Sequence, residues 1–347
     1  MRPDGYRVGV VGATGAVGST ILEVLAERDF PASDVVAYAS ERSAGREIPF
    51  NGTVLECRRL AADAIDGLDL VLSSAGGSVS AEWVPQLVEA GAVVVDNTSY
   101  FRMHEDVPLV IPEINPDAAA SHNGIVANPN CSTMQMVVAL APIYRQVGID
   151  RIIVSTYQSV SGTGQSAVEE LREQSRAVLD GAEAQANVYP HRIAFNVLPQ
   201  VEVFKDGDDY TTEERKIMAE TRKILGVGEE LGISATCARV PVFTGHSQSI
   251  NIETSEDLSP ENCRELLGTA PGVAVLDEPA SGAYPLAIDA AGRDEVLVGR
   301  IRRDPSRERC LNLWVVGDNL RKGAATNAVQ VAEVLVDRDL VRVPSAA

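Results

Sequence analysis

Histidine occurs four times and cysteine five times in this chain of 347 residues. The histidines never approach one another at ligand spacing and the cysteines form no C-x-x-C pair, which argues against a zinc site or a structural metal. An odd handful of thiols fits no disulfide framework and suits a reducing compartment. Long apolar runs are also missing, so no segment is expected to span a bilayer. The opening MRPDGYRVGVVG passes straight into a strand and a glycine turn without a signal-peptide pattern, and the expected location is cytoplasmic. Positive charge is short as well: the net charge of -19 opposes attraction to nucleic acid or anionic lipid, leaving room only for a local basic pocket around a small anion.

The length suggests two domains, each with material for a real core. In the first third, strands at Tyr6 to Val11, Val35 to Ala39, Leu68 to Ser73 and Val93 to Asp96 alternate with helices at Val17 to Arg28 and Ala81 to Ala90. Short apolar runs separated by helix-length segments predict a parallel sheet with crossover helices. Beyond residue 130 the strands become longer and more alternating, at Arg151 to Val160, Arg239 to Thr244, Ser249 to Thr254, Glu295 to Arg302 and Leu311 to Gly317, as in a mixed or antiparallel sheet. Helices are expected at Ser166 to Leu179 and Thr212 to Leu225, with a closing helix from Lys322 to Val336 that can pack back on the first domain. The expected class is α/β: an N-terminal Rossmann-like dinucleotide-binding domain, 1–130 completed by 320–347, and an α+β catalytic and dimerisation domain with a mixed sheet, 131–319.

The stretch VGVVGATGAVGST follows the first strand and opens the first helix, with Gly9, Gly12, Gly15 and Gly18 spaced by threes. Glycine there permits a tight turn and lets a pyrophosphate sit on the unpaired N–H groups of the helix start. The competing reading is a glycine-rich turn without a ligand. At the end of the second strand Ser40, Arg42 and Ser43 offer hydroxyls and a guanidinium, which suit a 2′-phosphate and favour NADP over NAD, although the acidic Glu41 stands among them.

The stretch NPNCST, residues 128 to 133, poses a second question. Pro129 ends the preceding segment, Asn130 can cap, and apolar periodicity begins just after, so Cys131 falls in the first turn of a helix, where the dipole lowers a thiol pKa and stabilises a nearby oxyanion. For an isolated cysteine the alternative is a small buried hydrophobe, the reading given to Cys57, Cys237, Cys263 and Cys310. His104, His122 and His191 read as surface or structural, whereas His246 follows Gly245 at the rim between two strands; spacing alone does not bring it to Cys131. Arg239 enters an apolar strand and must face a carboxylate, either a ligand's or an internal one. Glu213 and Lys216 share a helix face, by themselves a solvated pair. Arg102, after a strand ending at Asp96, is an anion clamp at the sheet's C-terminal edge or a surface arginine.

Taken together, GATGAVG, ASERSAG, DNTSYFRM, NPNCST, YQSVSGTG, RVPVFTGHS and GDNLRKGAATNAVQ resemble aspartate-β-semialdehyde dehydrogenase, in order from first strand to last helix. The resemblance implies NADP-dependent reductive dephosphorylation of L-4-aspartyl phosphate to L-aspartate 4-semialdehyde, with release of inorganic phosphate, in lysine, methionine and threonine synthesis. It also implies a homodimer, sometimes paired into tetramers. Carried over by motif, Cys131 forms a thioester, His246 is the acid/base and Gln158 orients the intermediate. Arg239 grips the α-carboxylate and Glu213 the amino group, while Arg102, Lys216 and Asn130 hold phosphate. Gly12, Ala13, Thr14, Gly15, Ala16 and Val17 cradle the cofactor, Ser40, Arg42 and Ser43 its 2′-phosphate, and Ser161, Gly162 and Asn319 line the nicotinamide site. GATGAVG differs from the G-x-R-G-M-V-G form of many Gram-negative enzymes and looks like the other bacterial branch. Two competing readings are an N-acetyl-γ-glutamyl-phosphate reductase, whose cysteine sits in a different context, and a non-catalytic relative serving as a binding protein.

Overall fold

The structure, a computed structural model, describes residues 4–342, and the chain divides into one unit that runs to Asn130 and resumes at Ala324 and another from Cys131 to Gly323. The domain bounds expected from sequence include residues 1–3 and 343–347, which lie outside the described residues.

The first unit contains, in chain order, β1 (Tyr6–Val11), α1 (Ala16–Glu27), β2 (Ala32–Ala39), a hairpin of β3 (Glu47–Phe50) and β4 (Thr53–Glu56), β5 (Arg58–Arg59), β6 (Leu70–Ser73), α2 (Gly77–Glu89), β7 (Val93–Asp96) and β8 (Ile125–Ala127). Six strands lie in the order β5-β2-β1-β6-β7-β8, and each neighbouring pair is parallel. In β6 and β7 every residue is buried. Apolar runs without polar alternation need cover on both faces, which crossover helices supply. Val8 pairs with Val35 on one side and Leu70 on the other, so the strand order reverses at β1. In such sheets the crevice beyond the carboxyl ends at the reversal is where ligands bind.

The glycine turn fills that position. Gly12 has φ of 86°, a conformation side chains rarely adopt, and a Cβ placed on Gly18 would lie 2.1 Å from the Gly12 carbonyl oxygen. The absence of a side chain at Gly18 is what lets α1 start against the turn. The C-terminal helix, Thr326–Asp337, returns to this unit: Val329, Val331, Leu335 and Val336 are buried in the core that holds Val8, Val10, Ile21 and Leu25. Its Glu333 pairs with Arg28 at 2.7 Å, and Asn327 Nδ2 donates to Asn128 Oδ1 and to the Val110 carbonyl.

The second unit contains α3 (Cys131–Val147), β9 (Ile149–Gln158), α4 (Gln165–Leu179), α5 (Thr212–Leu225), β10 (Gly232–Arg239), β11 (His246–Thr254), α6 (Pro260–Gly268), β12 (Val273–Val275), α7 (Ala287–Ala290), β13 (Val296–Arg303) and β14 (Cys310–Gly317). Its sheet is ordered β10-β9-β11-β14-β13-β12, parallel at β10–β9 and β12–β13 and antiparallel elsewhere. Helix α3 is buried from Ser132 to Ala141 and packs against the sheet, α5 and α6. Helix α5 starts with a capping box between Thr211 and Glu214. The α/β class, the Rossmann-like first part and the mixed sheet of the second agree with the sequence reading.

Three expectations need correction. The strand placed at Arg239 to Thr244 is instead β10, which ends at Arg239; Pro241 has no N–H for a ladder, and the chain leaves the sheet there. The strand expected from Ser249 begins at His246, so this histidine belongs to β11 rather than to the turn. The closing helix opens with a π-helical turn, Arg321–Ala325, before its α-helical part. The β3–β4 hairpin, β8, α6 and β12 were not legible in the pattern.

Substituting Gly18→Ala forces the Gly12 turn to shift and is expected to cost about 1–3 kcal/mol. The control Gly77→Ala, where an added Cβ meets nothing within 4 Å, should leave the thermal midpoint unchanged. Thermal denaturation of the two variants side by side checks this.

Candidate functional site

In the first unit the amides of Gly12 and Ala13 donate to the Tyr38 carbonyl at 2.9 and 3.0 Å, and that of Gly15 donates to the Gly12 carbonyl. The donors that the turn itself does not use include those of Thr14, Ala16, Val17 and Gly18, at the start of α1. Gly12 and Ala13 contribute shape, whereas the helix start contributes donors and the positive dipole end. Ser40, Arg42 and Ser43 sit on a short turn after β2 and are at least partly open to solvent. A cleft of about 220 Å³ lined by Gly12, Tyr38, Ser40, Glu41, Arg59 and Trp83 adjoins them. Arg59 Nη1 lies 3.6 Å from Glu41, so the acid expected to oppose a 2′-phosphate has a cation beside it. These features fit a dinucleotide.

Beyond β7, Asp96 is fully buried and accepts from Ser80 Oγ, Thr98 Oγ1 and the Thr98 amide. Burial raises its pKa, an effect those three donors and nearby Arg102 oppose. The carboxylate anchors the loop that carries Arg102. Arg102 is itself buried, not the surface arginine of the alternative reading: Nε donates to the Asn128 carbonyl and Nη2 to the Asn97 carbonyl, both at 2.8 Å. Asn128 Nδ2 donates to Asn97 Oδ1, bracing both supports. Asn130 is buried at the end of this segment.

In the second unit, four of the expected residues meet at one edge of the sheet. Gln158 ends β9 directly beside Arg239, which ends β10, while His246 begins the antiparallel β11. Arg239 Nη1 donates to the Ser159 carbonyl at 2.7 Å, and its Nε has no partner. No carboxylate among the described residues pairs with Arg239, so the internal salt bridge is not what holds it. His246 is fully buried; the Ser159 amide donates to Nδ1 at 3.0 Å, and Nε2 has no partner. A Cβ on Gly162 would lie 3.2 Å from both Arg239 Nη1 and His246 Nε2. The unpartnered His246 Nε2 and the Arg239 guanidinium, through Nη1, thus flank one point where the chain has no side chain.

Gln158 Nε2 donates to Glu213 Oε1 at 3.1 Å. Glu213 is buried, with Lys216 Nζ 3.6 Å from Oε2, and Lys216 also pairs with Glu202. This is not the solvated helix pair that the spacing alone suggests. Asn319 Oδ1 accepts from the Gly245 amide at 3.0 Å, and its Nδ2 donates to Ser161 Oγ at 2.9 Å.

Cys131 opens α3 and is half-buried, whereas the other four cysteines are buried. Burial pushes the Cys57, Cys237 and Cys310 thiols up, and Cys263 to about 12, so those four are inert fillers. Two residues that the sequence reading missed tie the start of α3 to β11. Gln248 Nε2 donates to the Ser132 carbonyl at 2.8 Å and Gln135 Nε2 to the His246 carbonyl at 3.2 Å. The signal for Gln135 was its place in the otherwise apolar run MQMVVAL. Ser159 and Tyr189, whose ring centre is 5.9 Å from the Arg239 guanidinium, were also missed, and neither carries a sequence signal. Among the described residues no cluster of His, Cys, Asp or Glu is arranged to hold a metal ion, and no helix is long and apolar enough to cross a membrane.

A parallel-sheet unit with a dinucleotide turn, followed by a mixed-sheet unit with a helix-opening cysteine and a buried imidazole, defines a nucleotide-dependent dehydrogenase of the two-domain kind. The sequence matches the semialdehyde dehydrogenase NAD binding domain over residues 7–122 and the semialdehyde dehydrogenase dimerisation domain over residues 140–322. The aspartate-semialdehyde dehydrogenase of Aquifex aeolicus is 54% identical over 97% of this chain and 100% of its own. The crystal structure of aspartate semialdehyde dehydrogenase II of Vibrio cholerae complexed with ASA superposes with a TM-score of 0.93 at 47% identity, covering 96% of this chain and 98% of that one. The Candida albicans aspartate semialdehyde dehydrogenase with NADP gives a TM-score of 0.74 at 26% identity, covering 96% and 99%. The chain belongs to the aspartate-semialdehyde dehydrogenase family.

His246 and His122 are both buried, and burial lowers the pKa of each. His122 is held between the Gly124 amide and the Leu340 carbonyl. Unfolding frees both rings to take a proton at their ordinary value of about 6.5, so the stability they contribute is full above that value and is lost as pH falls through it. The thermal midpoint is expected to drop between about pH 7.5 and about pH 5.5, and His122→Gln to flatten the slope. Calorimetry across that range would contradict this if the slope were unchanged in the variant.

Proposed function

We propose that the protein is an NADP-dependent aspartate-semialdehyde dehydrogenase that converts L-4-aspartyl phosphate to L-aspartate 4-semialdehyde and inorganic phosphate, in the supply of lysine, methionine and threonine. The observation that carries the reading is the cluster at the edge of the mixed sheet. A zwitterionic amino acid needs one group of each sign, and Arg239 and Glu213 supply them, with no carboxylate among the described residues on Arg239. Arg239 binds the α-carboxylate, Glu213 the amino group, and Gln158, already bonded to Glu213, orients the reacting carbonyl.

Cys131 attacks the acyl phosphate carbon from the start of α3. The C–S bond forms, the C–O bond to phosphate breaks, and the departing dianion is held by Arg102, Lys216 and Asn130. The thioester keeps the acyl group activated while phosphate leaves. NADP, when bound in reduced form, supplies the hydride. Thr14, Ala16 and Val17 hold its pyrophosphate, Ser40, Arg42 and Ser43 its 2′-phosphate, and Ser161, Gly162 and Asn319 the nicotinamide side. Once the acyl carbon is reduced, the C–S bond breaks, the aldehyde leaves and the thiolate is recovered, with His246 at the carbonyl oxygen as the acid/base group. The second unit assembles a homodimer, in keeping with the half-open aromatic pair Tyr157 and Trp314, 5.5 Å apart on β9 and β14. A reducing cytoplasm suits its five unbridged cysteines.

The test is phosphate-dependent NADPH formation from L-aspartate 4-semialdehyde. The wild type should turn over, and Cys131→Ser should lose at least about a thousandfold in kcat. Turnover of the N-acetylglutamate semialdehyde instead, or of neither substrate, would sink the assignment. Cofactor choice is checked separately: Arg42→Ala should raise KM for NADP about tenfold while leaving turnover with NAD unchanged.

A further inference from the structure

We propose that Tyr189 is a specificity-determining residue of the α-carboxylate site: its ring faces the Arg239 guanidinium, and a chain segment fastened to α4 by two buried side chains holds it there. It makes the site selective for short aldehydes that carry a free carboxylate. The proposal rests on the function proposed above and adds a residue to the carboxylate end of that site.

Residues 185–194 belong to no helix or strand and are mostly open to solvent. A segment of this kind is ordinarily among the looser parts of a fold, yet α4 grips it from its buried face. Glu170 accepts from the Asn187 and Val188 amides on one carboxylate oxygen, at 2.7 and 2.6 Å, and from the Tyr189 amide on the other, at 3.4 Å. One turn along the helix, Gln174 accepts from the Ile193 and Ala194 amides at 2.9 and 3.1 Å and donates to the Gln185 carbonyl at 2.8 Å. Six main-chain groups of a coil are thus held by two side chains on one face of a helix. Burying a carboxylate is unfavourable for the helix itself. What this one achieves is to place the residue between the two anchors, Tyr189.

Tyr189 is tied to the site through its hydroxyl and its ring. The hydroxyl donates to Thr163 Oγ1 at 2.9 Å, next in the chain to Gly162, where an added Cβ would lie 3.2 Å from Arg239 Nη1. The ring centre is 5.9 Å from the Arg239 guanidinium carbon, within reach of a cation–π contact, and the side chain packs on the small core of Val160, Leu171 and Ile193. Burial raises the Tyr189 phenol pKa, Arg239 and the bond to Thr163 oppose that rise, and Glu170 adds to it. An aromatic face removes water from one side of a guanidinium and leaves its charge intact, which a carboxylate does not. Arg239 keeps Nη1 on the Ser159 carbonyl and Nε without a partner, so donor capacity remains for a ligand. An incoming carboxylate then meets a cation that is less screened and already oriented. A ligand without a carboxylate gains nothing from the ring. That difference is the selectivity.

The experiment compares full-length wild type, Tyr189→Leu and Tyr189→Phe in phosphate-dependent NADPH formation from L-aspartate 4-semialdehyde. Two analogues serve as competing ligands: succinate semialdehyde, which keeps the carboxylate and lacks the amine, and 3-aminopropanal, which keeps the amine and lacks the carboxylate. Tyr189→Leu should raise KM for the semialdehyde about tenfold, with kcat and the KM values for phosphate and NADP within about twofold. It should weaken inhibition by succinate semialdehyde by about the same factor and leave that by 3-aminopropanal within about twofold. Tyr189→Phe keeps the ring and should stay within about threefold of wild type throughout. An equal loss for both analogues, or a fall in kcat with all three KM values raised, would reduce Tyr189 to a structural role. An unchanged KM in Tyr189→Leu overturns the proposal outright. The contact is also read without turnover, in protein labelled with 13C at tyrosine Cζ, where Tyr189→Phe identifies one signal of eight by its loss. That signal should move when succinate semialdehyde is added and stay when 3-aminopropanal is added; the opposite pattern, or no movement with either, contradicts the proposal. Absence of turnover in the wild type would count against the proposed function, while the spectra still decide whether a carboxylate is recognised beside Tyr189.

Discussion

The second unit depends on where β9 lies. It has a parallel neighbour on one side, β10, and an antiparallel neighbour on the other, β11. A parallel partner ends at the same edge, whereas an antiparallel partner begins there. That geometry brings the last residue of β10, Arg239, and the first residue of β11, His246, to the end of β9 at Gln158. The residues that follow Gln158 cross this edge, so the Ser159 amide and carbonyl reach His246 and Arg239 in one step. Two strands running one way beside a third running the other gather residues separated by about eighty positions in the chain. An all-parallel sheet would need a crossover for each of them.

The charged groups are held in a common way. The bonds described for Arg102 go to the Asn97 and Asn128 carbonyls, and Arg239 donates to the Ser159 carbonyl. A carbonyl orients a guanidinium without cancelling its charge, which a carboxylate would do. Keeping the Arg239 cation in this state costs desolvation energy that an anion from outside would offset, whereas Arg102 has the Asp96 carboxylate nearby. The surroundings are correspondingly rich in neutral amides. Asn128 and Asn327 brace the supports of Arg102 in the first unit, and Gln135, Gln248 and Asn319 brace the second. Buried amide networks of this type rigidify a site while leaving its electrostatics to the ligand.

What the sequence disclosed follows the same physics. Apolar runs such as VVVD and LVLS are unmistakable because both faces are buried, and the glycine turn is legible because Gly12 and Gly18 answer to backbone geometry rather than to packing. β10 was misplaced because GISATCAR is built from small and polar residues, and the larger apolar side chains of VPVF just beyond it drew the assignment. Glu213 looked like a surface residue because helix spacing says nothing about which face is covered. The roles expected of Cys131, Arg239 and His246 came from resemblance, and the meeting of Arg239 with His246 depends on strand direction, which periodicity does not reveal. Ser159 was invisible: its contribution is a main-chain N–H that any residue except proline has.

Helix α3 opens with Cys131 and favours negative charge at its start. It runs for 17 residues with no acidic side chain in its first turn to oppose the positive end of the dipole. From Ser132 to Ala141 it is buried, so little water screens the dipole along most of its length. A dipole helps a thiolate only if the sulfur stays at the axis of the first turn, and side-chain amides from two directions secure that position. Gln248 holds the Ser132 carbonyl from β11, and Gln135, one turn further along α3, holds the His246 carbonyl. Helix α3 and the strand that begins at His246 are thereby tied to each other by two neutral side-chain bonds.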